Sequence, residues 1–188
     1  MKKIFTILSL SLAITATAQF EGAKQVYEAP NLTAIVNTHK TVAILPFEAK
    51  ITYRKQPKNF NLEANQEQER TMSRNIQSSM YTFLLRKRDN YIVTFQDVEK
   101  TNTLLKKAGM LDKLDEFTKD EIAKALNVDA VLGGRFETEQ TKSEAGAIAS
   151  AVLFGGFGGK TGTGTLTLLV NDAKDGELLW RYFKTMDE

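Results

Sequence analysis

The sequence predicts an α/β (α+β) domain: a mixed β-sheet with helices packed mainly on one face. Three observations lead there. Apolar, β-rich runs recur at residues 41–47, 91–95, 128–136, 165–170 and 178–184. A long stretch at 62–88 places Met72, Ile76, Met80, Phe83 and Leu84 at the three-to-four spacing of one helix face. Helix-start and turn signals separate these runs, giving the order β, long α, β, α, α, β, β, β, with no fixed-period repeat.

The first run, Thr41-Val42-Ala43-Ile44-Leu45-Pro46-Phe47, is nearly continuously apolar, as in a strand buried on both faces. It stops near Pro46, which has no N–H to give to a ladder. Residues 51–61 are polar and basic and read as a loop; the long helix follows and ends at Asp89-Asn90. Tyr91 to Phe95 reads as a second strand, after which Asp97 caps a short helix through Val98, Leu104 and Leu105 that closes near Gly109. Thr118 and Glu121 stand at capping-box spacing and open a third helix through Ile122, Ala123 and Leu126. Asn127 suits the left-handed residue after that helix, and residues 128–136 form the next strand. The last two strands, 165–170 and 178–184, flank Asp175-Gly176, a turn signal that predicts an antiparallel hairpin.

The amino terminus predicts export. Lys2 and Lys3 precede an apolar run from Ile4 to Ile14, and Ala16 and Ala18 supply a small-residue cleavage site, so residues 1–18 read as a signal peptide. The run is shorter than the roughly 20 residues a bilayer span needs. Residues 19–40 form a polar leader with a break at Pro30, and residues 41–188 one domain carrying a Gly-rich insert at 145–164. With no cysteine in the chain, there is no disulfide, no thiolate nucleophile and no thiol for a lipoprotein anchor. The expected localisation is therefore periplasmic, soluble after cleavage and not a lipoprotein. Once Lys2 and Lys3 leave with the signal peptide, the 25 basic residues fall to parity with the 23 acidic ones. A neutral chain lacks the basic excess that nucleic-acid binding uses, so no nucleic-acid partner is expected.

No catalytic constellation emerges, and neither a catalytic residue nor a cofactor or metal site is assigned. Gly155-Gly156-Phe157-Gly158-Gly159-Lys160-Thr161 evokes a phosphate loop, but Phe154 stands where its first glycine belongs and the stretch precedes a strand. The one histidine, His39, reads as a surface residue at a strand entrance and excludes any multi-histidine zinc site. Asp112, Asp115, Glu116, Asp120 and Glu121 cluster without calcium-loop spacing, and helix capping explains most of them. Arg86-Lys87-Arg88 fits either the negative end of a helix dipole or an anionic surface. Trp180, Tyr182 and Leu178 share one face of the last strand, a pattern that core packing and partner binding both produce. From Ala145 to Gly159 there is no charge, and Ile148, Val152, Leu153, Phe154 and Phe157 are apolar enough to dock on a partner or lipid surface. Packing of the same stretch as an Ala-rich helix and glycine loop is the structural alternative. Those five residues and Trp180 are the candidate partner-binding residues.

Three stretches carry a family resemblance: TVAILPF at 41–47, TKDEIAKALNVDAVLGGRF at 118–136 and GTLTLLVNDAKDGELLW at 164–180. Together they resemble the CsgG-like (curli secretion channel) superfamily, which shares an anticodon-binding-domain-like core with the TolB amino-terminal domain and with LpoB-type domains. The resemblance spans about residues 41–184 and implies a non-catalytic envelope module that binds other envelope proteins, or itself, in secretion, assembly or cell-wall synthesis. Membrane contact, where present, would be peripheral and through the Gly-rich segment. Two alternatives stand beside it: an envelope glycan hydrolase using paired carboxylates, and a ring-forming secretion channel component.

Overall fold

The computed structural model describes residues 24–140 and 162–186. The signal peptide and the apolar residues 148–157 expected to bind a partner lie outside these residues.

Among the described residues, seven strands form one mixed sheet: β1 (Lys24–Glu28), β2 (Thr41–Ile44), β3 (Glu48–Tyr53), β4 (Thr94–Phe95), β5 (Ala130–Gln140), β6 (Gly162–Asp172) and β7 (Leu178–Met186). The helices are α1 (Leu32–Val36), α2 (Leu62–Arg86), α3 (Val98–Lys107) and α4 (Lys119–Leu126). The strand order is β1-β7-β6-β5-β2-β4, with β3 beside the far half of β5. β2 and β3 are two segments of one line along β5: β2 runs parallel to Ala130–Leu132, and β3 parallel to Arg135–Gln140. Between them Pro46 has no donor for the ladder, which resumes at Glu48 opposite Arg135.

The mixed sheet and its α/β class are as expected. The helices, however, lie on both faces. One core cluster joins Met72, Ile76 and Leu84 of α2 to Val42, Ile44, Ala130, Leu132 and Phe136. A second joins Leu105 of α3 and Ile122, Ala123 and Leu126 of α4 to Ala43, Leu45 and Val131. Val42 and Ala43 are neighbours in a strand and therefore point to opposite sides. The cause is topological: the chain leaves β2 for β4 on one side, then crosses back over β2 to reach β5 on the other. Parallel crossovers are right-handed, so reversing direction across the sheet puts the second crossover on the other face. Element order in a sequence does not reveal this reversal.

Three further differences have local causes. Part of the stretch read as a loop is β3, where Ala49 and Ile51 are buried while Glu48, Lys50 and Thr52 are exposed, an alternation of period two within a polar segment. Residues 24–28 of the polar leader form β1, antiparallel to β7. The second strand shortens to Thr94–Phe95, leaving Tyr91 and Ile92 exposed after a 3-10 turn at Arg88–Asn90. The capping box forms as expected, with the Thr118 N–H donating to Glu121 Oε2 at 2.9 Å, and Asn127 is left-handed at φ 53°.

Close packing fixes two interior positions. A Cβ at Gly134 would collide with the Thr167 carbonyl oxygen and lie 2.9 Å from the Phe47 ring, so the sheet accepts only glycine there. Where α2 meets α3, the fully buried Gln77 donates to the Ile44 carbonyl at 2.7 Å and exchanges two 3.0 Å bonds with Asn102.

Candidate partner-binding surface

The helices cover only part of the sheet. α2 packs on β2, β3 and β4, α3 on β2, and α4 on β5 and the end of β6. The wing formed by β6, β7 and β1 makes up one end of the sheet. Its hairpin closes through Gly176 at φ 75°, the left-handed conformation that the Asp175-Gly176 signal calls for, and Asn171 Nδ2 donates to the Gly176 carbonyl at 3.0 Å.

On this wing the usual alternation of buried and exposed residues is lost. Leu179 is the one buried residue of β7; the rest are exposed or half-buried, and every residue of β1 is exposed. Trp180 and Tyr182 stack in parallel on one face, centroids 6.0 Å apart, with Lys24 Nζ 5.9 Å from the Tyr182 ring. Val26 stands opposite Tyr182 on the same face and is 50% exposed. The other face carries Phe183, with the Arg181 guanidinium 5.7 Å from its ring, and Tyr27, which is 48% exposed. A strand with half-exposed aromatic rings on both faces offers apolar area with polar handles, the chemistry of a protein interface, although Tyr182 also packs against the α2-side core and Leu179 is buried on the Phe183 face.

Of the candidate residues, Trp180 is thus placed on a half-exposed aromatic pair. It lies opposite Val170, eight positions along β6 from Gly162 where the chain returns from the Gly-rich insert, about 27 Å at 3.4 Å per residue. Trp180 and the base of the insert therefore sit at opposite ends of the hairpin. Sequence reasoning missed Val26 and Tyr27, whose signal is two β-favouring residues inside a five-residue polar strand.

Several of the other chemistry-bearing residues have structural partners. His39 is buried, not at the surface as expected, and its Nε2 lies 3.4 Å from Asp172 Oδ1 at the end of β6. Chain reversal between α1 and β2 tucks it under the hairpin. Nearby, Asp129 accepts the N–H groups of Lys40 and Thr41, each at 2.8 Å, and these two bonds hold its carboxyl below the ordinary carboxylate range. Glu48 and Glu137 both bond Arg135, whose guanidinium pKa they raise. The sheet thus brings Glu48 and Glu137 near one another on the face away from α2, where an arginine engages both. Glu116 pairs with Lys113 at 3.5 Å, and Glu121 completes its capping box. Arg86 occupies the last turn of α2, and Lys87 follows with its Nζ 5.5 Å from the Phe83 ring. No described helix is long and apolar enough to cross a membrane.

No protein-family model matches the chain, and no curated protein matches it. Solved structures do. The chain is similar to lipoprotein GNA1162 from Neisseria meningitidis, at 13% identity over 79% of this chain and 80% of that one, with a TM-score of 0.44. Similarity to E. coli LpoB is at 12% identity over 98% and 82%, TM-score 0.46. A PelC dodecamer from Paraburkholderia phytofirmans matches at 14% identity over 87% and 79%, TM-score 0.36. The LpoB-type component of the sequence resemblance thus has counterparts among solved structures; the curli-channel superfamily itself is not shown. At these identities no residue role passes to this chain. One expectation is corrected: the signal-peptide pattern and the missing cysteine predict a soluble periplasmic protein that is not a lipoprotein, whereas a similar solved structure, GNA1162, is a lipoprotein.

Proposed function

We propose that this protein is a non-catalytic binding module of the bacterial cell envelope that engages another envelope protein through the β6–β7–β1 wing, in support of secretion, assembly or cell-wall synthesis. The observation that carries this reading is the exposure of β7: Trp180, Tyr182 and Phe183 are half-exposed, with rings on both faces of the strand. Exposed aromatic rings of this kind are where interface energy concentrates. The envelope assignment draws on the signal-peptide pattern of residues 1–18 and on the motifs at 41–47, 118–136 and 164–180. The uncharged segment with Ile148, Val152, Leu153, Phe154 and Phe157 is proposed as a second contact.

The test is cross-linking in intact cells followed by affinity isolation, with the native chain beside a Trp180→Ala, Tyr182→Ala variant. A specific protein recovered with the native chain and lost with an equally folded variant supports the reading. Recovery of the native chain always without a partner refutes it. The hydrolase alternative requires two facing carboxylates free to act, and no observation on the described sheet favours it over binding.

A further inference from the structure

We propose that two copies of this chain pair through β1, antiparallel, with Val26 on the two-fold axis, so that two sheets become one. This inference does not rest on the partner reading above, which concerns the faces of the wing and not its edge.

Among the described residues, β1 is paired on one side only, by β7. Which of its groups point outward follows from one bond. The Ala29 N–H donates to the Leu179 carbonyl at 2.9 Å, in register with the Lys24↔Lys184 ladder. Inward and outward residues alternate along an antiparallel strand, so Tyr27 and Gln25 also bond β7. Lys24, Val26 and Glu28 therefore turn their N–H and C=O groups to the free edge. An incoming strand must use these three residues.

The strand is complementary to itself in that register. Set antiparallel about Val26, Lys24 of one copy faces Glu28 of the other at both ends, Val26 faces Val26, and Gln25 faces Tyr27. All three outward residues become hydrogen-bonded pairs, with two bonds each. Centring on Lys24 or Glu28 instead sets like charges face to face, and centring on Gln25 or Tyr27 shortens the overlap. Charge also calls for the second copy: within one chain Lys24 stands opposite Lys184, a like-charge pair on the same face. Glu28 of the second copy supplies the missing anion. The edge carries no proline or bulge, two of the devices that block such pairing; its own charges, Lys24 and Glu28, are opposite in sign and are paired in this register.

The chain has no cysteine, so introduced thiols report the register cleanly. Gln25 and Tyr27 of the two copies form non-hydrogen-bonded pairs, whose Cα separation of about 4.5 Å suits a disulfide. The full chain is made as Gln25→Cys and, separately, as Tyr27→Cys, and oxidised alone and mixed. A cross-linked dimer in the mixture at least fivefold above either variant alone is expected. Sedimentation of the uncross-linked chain should show a dimer that Lys24→Glu weakens about tenfold, and that Lys24→Glu with Glu28→Lys restores. Circular dichroism confirms that each variant is folded. A native chain that stays monomeric at 100-fold excess over its cellular concentration overturns the proposal. So does a dimer whose cross-linking ignores the register, or one that the double charge exchange fails to restore.

Discussion

Replacing Gln77 with alanine should cost the fold about 2–4 kcal/mol, far more than a polar residue on a helix surface would. The side chain is 0% exposed, where α2 meets the carboxyl end of β2 and the middle of α3. It donates to the Ile44 carbonyl at 2.7 Å and exchanges two 3.0 Å bonds with Asn102. Net, each bond contributes about 1 kcal/mol, and stranding a buried carbonyl adds about 1–3 kcal/mol, offset where the vacated space admits water. Asn102 is only half-buried, so its amide regains solvent; Asn102→Ala should cost about 1 kcal/mol. The two substitutions share bonds, and the double variant should fall short of the sum by about 1 kcal/mol. Equilibrium unfolding in urea, followed by far-ultraviolet circular dichroism, measures all three. A Gln77→Ala loss below about 0.5 kcal/mol, within the range of ordinary surface changes, would refute the reasoning.

Asp129→Asn should destabilise the protein at neutral pH and reduce its sensitivity to acid. Its folded carboxyl titrates below its unfolded value, so the stability it adds is present above the unfolded pKa and lost as pH falls through the folded one. Urea midpoints from pH 7 down to pH 3 check this, and parallel curves for the two proteins would contradict it. Gly134→Ala should cost about 1–3 kcal/mol, because the added methyl meets the Thr167 carbonyl and the Phe47 ring; thermal unfolding reads it directly. Asn127→Gly should leave stability within about 0.5 kcal/mol of native while Asn127→Ala loses about 1 kcal/mol, since φ 53° suits glycine and asparagine better than alanine. Equal midpoints for those two variants would dismiss the conformational explanation.

How much of this was legible in the sequence differs by element. Helices announced by caps and spacing, such as α4 with Thr118, Glu121 and Asn127, stand where the residues put them. The hairpin followed from Asp175-Gly176. Elements whose stability comes from distant partners gave weaker signals. β1 is five exposed residues that only β7 makes into a strand, and β3 alternates within a lysine-containing segment that β5 organises. His39 was misjudged for the same reason: its burial is due to Asp172, 133 positions away in the chain. Of the candidate site, Trp180 was visible as one member of an aromatic face. Its exposure was not, because that depends on which strands the helices leave uncovered, and the reversal from β4 to β5 decides where they go.

The pairing of Lys24 with Lys184 has a mechanical consequence. In an antiparallel pair the entry of β1 and the exit of β7 lie at the same end of the two strands. A pull applied between them acts across the ladder, so the bonds break in succession from that end, as a zipper opens, instead of resisting together in shear. The helix-covered sandwich of β2, β4 and β5 carries little of such a load until β1 has come away. Tension between the two ends of the domain would therefore peel off β1 at low force, removing the edge by which two copies are proposed to join, while the core beneath Ile44 and Val131 stays folded.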